Sequence, residues 1–176
     1  LLEHGMIQSI GRIGSGVGKH PEQFTICGEH FRYIGVDVGR INTRVVITGQ
    51  DREVLVRTSK PTKDAEEPEK CIEYLCEQVR ETLKKSTVDE KTIVGICIAM
   101  PGLIESDTGT VIFSPDFGWK DVPLEKWAQE RLEPFHVIVR NANRAQARWE
   151  TRPGSNNKES TIFCVGLGYG IGSGII

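Results

Sequence analysis

A chain of 176 residues with 38% hydrophobic residues, 26% charged residues and a net charge of −2 has the composition of one well-buried globular domain, or of such a domain with a small appendage. That balance excludes the global basic field of most nucleic-acid binders, and no apolar run approaches the roughly 18 residues a membrane span requires. A cleavable signal pattern is absent as well. The five cysteines (Cys27, Cys71, Cys76, Cys97 and Cys164) are scattered, odd in number and form no Cys-x-x-Cys pair. They read as free structural thiols rather than zinc ligands or disulfides, and a reducing, cytoplasmic setting is expected.

Taken in order, Leu1 to Gly5 reads as a helix end stopped by glycine. A short strand over Met6–Ile10, a glycine-rich turn over Gly11–Gly18 and a return strand over Gln23–Cys27 follow. A helix end before a hairpin has the form of the wing of a winged helix-turn-helix, with Arg12 and Lys19 near its tip placed to meet a DNA backbone. The plainer alternative is an exposed hairpin with ordinary surface charge.

Three β-branched runs come next, Phe31–Val38, Thr43–Thr48 and Val54–Ser59, separated by tight turns and so predicting an antiparallel meander. After a polar linker, Ile72, Leu75, Cys76, Val79 and Leu83 share one face of an amphipathic helix reaching about Lys85. Ile93–Ala99 is apolar throughout, as in a strand buried on both faces. A turn and a short strand, Val111–Phe113, precede a loop over Ser114–Val122, and Pro123 opens a helix bearing Leu124, Trp127, Ala128 and Leu132. Next, His136–Val139 alternates as a strand and runs into a helix capped by Asn141, with Ala142, Ala145 and Trp149 at helical spacing. Thr161–Val165 reads as a further buried strand, before a run with glycine at every second position from Gly166 to Gly174.

The resulting order, β-β-β-α-β-α-β-α-β, predicts an α/β, ribonuclease-H-like lobe with a mixed sheet, the layer used by actin and sugar kinases. In an open α/β sheet a ligand sits at the carboxyl end of a strand, against the following helix. Here that place is Asn141-Ala142-Asn143, with no acid until Glu150. A carboxylate base for proton transfer is therefore missing where it is expected. Asp37 and Gly39 form an Asp-x-Gly turn able to bring backbone N–H groups and a carboxylate to a phosphate. The later glycines let backbone approach either a phosphate or another strand.

In combination these motifs closely resemble the ROK family of bacterial sugar kinases and sugar-responsive repressors. The resemblance is carried in order by Gly35-Val36-Asp37-Val38-Gly39, Met100-Pro101-Gly102, Ser114-Pro115-Asp116-Phe117-Gly118-Trp119, Asn141-Ala142-Asn143 and the run from Gly166 to Gly174. The leading segment resembles the wing of the repressor branch, which the kinases lack. The resemblance implies residues 1–28 as the tail of a DNA-binding domain and 29–176 as the first lobe of an effector domain, with a zinc motif and the second lobe beyond Ile176. It also implies Gly102, Asp116 and Asn141 as sugar contacts, and Asp37, Gly39, Gly168, Gly170 and Gly172 as a degenerate nucleotide-phosphate site.

Departures from the kinase pattern point the same way. The family kinases place an Asp base after the Asn, where Ala142 stands; Ile41 replaces the Thr of Asp-x-Gly-x-Thr; Tyr169 replaces the Thr of Gly-Thr-Gly. The implied protein is a repressor that senses a sugar or sugar phosphate without phosphorylating it, acting on operator DNA as a homo-oligomer. An active kinase using ATP and magnesium is the alternative, for which Asp116 and Glu150 are the only nearby acids to nominate as a base. A sugar-binding or dimerisation module without a DNA role is a third.

Overall fold

A computed structural model describes residues 1–14, 20–151, 161–167 and 170–176. The chain opens on an antiparallel hairpin of β1 (Ile7–Arg12) and β2 (Glu22–Ile26), a two-stranded sheet of its own. Its side chains are nearly all exposed, including Ile10, Phe24 and Ile26. The Cys27 N–H donates to the Met6 carbonyl at 2.9 Å and closes its base.

The central sheet has β3 (Arg32–Val38), β4 (Asn42–Gly49), β5 (Val54–Pro61), β6 (Ile93–Met100) and β10 (Val137–Asn141) in the order β10-β6-β3-β4-β5. The meander is antiparallel as its short turns require, and β6 and β10 run parallel to β3 because a helix precedes each. Alternation sends Ile34, Val36 and Val38 of β3 to one face, where Val45, Ile47, Ile96, Ile98, Val137 and Val139 join them in the core.

That face is covered by α1 (Pro68–Lys85) and α2 (Leu124–Arg131). The first carries the predicted stripe, with Ile72, Leu75, Val79 and Leu83 buried, each contributing about 1.5–3 kcal/mol relative to an exposed side chain. Pro68 opens it where its missing N–H costs nothing, and Lys84 and Lys85 close it in the favourable field of its C-terminus. Burial pushes the Cys71 thiol up to about 12 and the Cys76 thiol up to about 11. Both therefore stay protonated and inert at pH 8. An alkylating reagent at that pH should modify Cys27 and Cys164 in the native protein and reach Cys71 and Cys76 only on unfolding. Peptide mass spectrometry checks this, and equal labelling rates at Cys27 and Cys71 would contradict the packing.

Because β10 is an edge strand, its outward N–H groups need partners. Side chains of α2 supply them: the Val137 N–H donates to Gln129 Oε1 at 2.9 Å and the Val139 N–H to Glu125 Oε2 at 2.8 Å. Gln129 Nε2 also donates to the Phe135 carbonyl at 2.8 Å. The opposite edge, β5, carries Lys60 and Pro61, two residues that discourage further pairing.

The segment expected as a loop over Ser114–Val122 holds an additional strand. It belongs to a small antiparallel sheet of β7 (Leu103–Ile104), β8 (Val111–Ser114) and β9 (Trp119–Val122). Trp119 drives its formation, since its ring is fully buried and packs edge-on to Phe117 at 5.2 Å. Pro123 is the N-cap of α2 rather than its first helical residue.

The last strand also departs from expectation. β11 (Phe163–Leu167) pairs with β12 (Ile171–Ile175), an antiparallel hairpin apart from the central sheet, and Phe163, Val165 and Leu167 are exposed rather than buried. The run of glycines thus forms a strand whose small face lies on α3 (Ala142–Glu150), leaving the apolar face outward.

Candidate functional site

The site is built where β10 becomes α3. Asn141 Oδ1 accepts from the Arg144 N–H at 2.9 Å, satisfying one orphan donor of the helix start, as its place in the sequence predicts. Its Nδ2 donates to the Gly102 carbonyl at 2.7 Å and ties α3 to the loop after β6. A side-chain amide offers two donors and two acceptor lone pairs, so one of each remains for a ligand hydroxyl.

Gly102 holds φ at +123°, outside the reach of other residues, and a Cβ there would lie 2.5 Å from the Phe113 carbonyl oxygen. Behind it Ser114 is fully buried, and its Oγ has no hydrogen-bond partner among the described residues.

Gly102 and Asn141 line one cleft of about 1130 Å³ together with Leu103, Ile104, Ile138 and Ile175. It lies between the uncovered sheet face, α3 and β12. Among the described residues no Asp or Glu lines it, and Ala142 presents only a methyl group at the helix start.

The other expected site residues lie elsewhere. Asp116 is exposed in the turn between β8 and β9 and does not line the cleft. Asp37 also lies outside it, with Oδ2 2.9 Å from the Arg44 guanidinium. Gly39 is explained by the β3–β4 turn, where its N–H donates to the Asn42 carbonyl at 3.0 Å and a Cβ would come within 2.8 Å of that oxygen.

Gly172 faces the Asn143 side chain, and a Cβ on Gly174 would sit 2.5 Å from the Asn143 carbonyl oxygen. From sequence the glycine run is expected to approach a phosphate or another strand; among the described residues β12 pairs with β11, and its glycines also pack closely on the helix α3. Gly170 has open space beside it, while Gly168 and Lys19 lie outside the described residues. Arg12 is exposed at the end of β1.

Among the described residues no group of three or more His, Cys, Asp or Glu side chains could hold a metal ion. No helix among them is long and apolar enough to cross a membrane.

Sequence reasoning missed the basic wall of the cleft, formed by Arg52, Arg140, Arg144 and Arg148. Arg144 and Arg148 are four apart on α3 and so legible as one helical face. Arg52, in the β4–β5 turn, carries no such signal.

A five-stranded mixed sheet in this order, with paired helices on one face and a cleft beside the strand ends on the other, is the lobe of an actin-like, sugar-kinase-type fold. The ROK family model matches residues 33–176, and the chain belongs to the ROK family. It is 29% identical over all 176 residues to the xylose repressor of Caldicellulosiruptor bescii, covering 44% of that protein. The crystal structure of a ROK family glucokinase from Streptomyces griseus, in complex with glucose and AMPPNP, matches with a TM-score of 0.71 at 26% identity, over 82% of this chain and 44% of that one. A ROK family transcriptional regulator, a homolog of the E. coli MLC protein, matches with a TM-score of 0.76 at 18% identity, over 99% of this chain and 44% of that one. The chain thus spans less than half the length of these relatives.

Proposed function

We propose that the chain is the first lobe of a sugar-responsive transcriptional regulator, whose kinase-like site senses a carbohydrate without phosphorylating it. The observation that carries this reading is the acid-free cleft. Phosphoryl transfer to a hydroxyl needs a carboxylate or equivalent base within hydrogen-bond reach of the attacking oxygen. The position after Asn141 is Ala142, and among the described residues no Asp or Glu lines the cleft. Asn141 retains a free donor and lone pair to orient a sugar hydroxyl, with Gly102 forming the rim.

Coverage supports the regulator over the kinase. The xylose repressor aligns with the whole chain, hairpin included, whereas the glucokinase structure covers 82% of it. The hairpin then serves as a wing, with Arg12 toward the DNA backbone, in a full-length homo-oligomer acting from the cytoplasm. Residues 1–28 form the end of the DNA-binding unit and 29–176 the effector lobe. Similarity to a glucokinase favours the second reading, a carbohydrate kinase using ATP and magnesium.

Operator binding by the full-length protein, measured with and without a panel of sugars, and ATP consumption by the same protein separate the two. A sugar-dependent change in DNA affinity with no ATP turnover is expected, even in Ala142→Asp if the phosphate site is degenerate. Sugar-dependent turnover by the unaltered protein would overturn the reading.

A further inference from the structure

The two ends of the central sheet carry different parts of this protein. Asn141 pairs with Met100 at the end of β6 and Arg32 with Ile93 at its start, so roughly 23 Å of strand separates them. The hairpin of β1 and β2 joins the lobe at the Arg32 end. It does so through a single 3-10 turn, Gly28–His30, which contains no buried residue.

Contacts in series bridge this distance. From Asn141, α3 runs for nine residues, a rigid rod about 13 Å long. In its last turn Trp149 lies under the Arg52 guanidinium, which is 5.5 Å from the ring centroid. The Arg52 N–H closes the β4–β5 turn by donating to the Gly49 carbonyl at 3.0 Å. Gly49 is the cross-strand partner of Arg32, and a Cβ on it would come within 2.9 Å of Arg32 Nη1. The Arg32 guanidinium in turn donates to the Gly28 carbonyl, which also receives the Phe31 N–H at 3.2 Å.

Both ends of this series have reason or room to move. Arg52 is held at φ +69°, local strain in the turn that a shift can relieve. Gly28 has nothing within 4 Å of its Cβ position, and a gap of about 290 Å³ lies beside Glu29, Arg32 and Asp89. The 3-10 turn can therefore swing as a hinge.

We propose that Arg52 and Arg32 are positioning residues that couple the cleft to the hairpin. A ligand drawing on Asn141 moves α3 as a body, Trp149 carries Arg52 and its turn, and Arg32 carries Gly28. The inference rests on the reading of the cleft as a sugar-sensing site and names the route by which its occupancy reaches the wing. An exposed cation–π stack supports a coupling of roughly two- to fivefold through Arg52.

The test measures operator affinity of the full-length protein with and without xylose or glucose, each saturating for the variant used. Amide hydrogen exchange is followed at His30 and Phe31, whose N–H groups donate within the hinge turn to the Cys27 and Gly28 carbonyls. One sugar should change both readouts in the unaltered protein. Arg32→Met should keep calorimetric sugar affinity near that of the parent, because Arg32 does not line the cleft. It should erase the sugar-dependent exchange and most of the operator response, and Arg32→Lys, which keeps a donor for Gly28, should restore part of both. Arg52→Ala and Trp149→Leu should each weaken the operator response about two- to fivefold. The double variant should go no further than either alone. If Arg32→Met melts well below the parent, Arg52→Ala, on an exposed turn, decides by the same readouts.

Exchange at His30 and Phe31 that ignores both sugars, or responds as strongly in Arg32→Met as in the parent, would overturn the proposal. A sugar-dependent operator affinity preserved in Arg32→Met removes this route and leaves the regulator reading intact. Sugar-dependent exchange that Arg32→Met abolishes, in a protein that binds no operator under any condition, keeps the route and removes that reading.

Discussion

Replacing Trp119 with Ala should remove about 3–5 kcal/mol of stability, the largest single loss expected in this chain. The indole is 1% exposed, stands edge-on to Phe117 and donates from Nε1 to the Ala65 carbonyl at 2.8 Å. Truncation opens a cavity in the core and leaves a nearly buried carbonyl without its donor. Trp119→Phe keeps most of the apolar volume and should cost about 1–3 kcal/mol, chiefly through the orphaned Ala65 oxygen. Against a total stability of about 5–15 kcal/mol, the Ala variant should shift a urea unfolding midpoint strongly without changing the slope. The effect reaches the site, because Trp119 anchors the three-stranded sheet whose other edge, Leu103 and Ile104, lines the cleft. A loss below about 1 kcal/mol would show that β9 is not held to the core as described.

Gly102→Ala should cost about 3 kcal/mol or more and abolish the sugar response proposed for the full-length protein, because two penalties coincide. The φ of +123° strains any side-chain-bearing residue, and the new Cβ would meet backbone, with the Phe113 oxygen at 2.5 Å and Ser114 Cα at 2.9 Å. Backbone cannot swing aside as a side chain can, so the loop must move and carry with it the carbonyl that receives Asn141 Nδ2. Gly118→Ala provides the control. It shares a positive φ, +70°, but has nothing within 4 Å of its Cβ position. Only conformational strain applies there, about 1 kcal/mol. Equal destabilisation by the two substitutions, measured in the same unfolding experiment, would refute the overlap at Gly102.

Much of the scaffold was legible because it rests on short-range rules. The alternation in β3 and β4, the apolar stripe of α1 and the tight turns of the meander follow from periodicity and turn chemistry within a few residues. The Asn141 cap and the missing base at Ala142 are equally local, one side chain reaching three residues ahead and the other lacking an oxygen altogether. β9 escaped notice because its four residues do not alternate: Trp119 and Val122 are buried while Lys120 and Asp121 between them are exposed, and a buried indole fixes the strand. The exposed apolar face of β11 reads in sequence like any buried strand, since composition does not tell which neighbour covers it.

The chain itself therefore determined the sheet-forming runs, the core helix, the helix start at Asn141 and the absence of a carboxylate beside it. Tertiary structure alone decided what those pieces do for one another. Asn141 bonds a carbonyl 39 residues away and Trp119 one 54 residues away, and Gln129 and Glu125 complete the hydrogen bonding of a strand edge they do not belong to. Arg52 meets α3 only because the β4–β5 turn folds toward the helix end. Local propensity acts through backbone dihedrals within a turn or two of chain, whereas a site of charge and shape forms from segments whose separation in sequence carries no signal of their meeting.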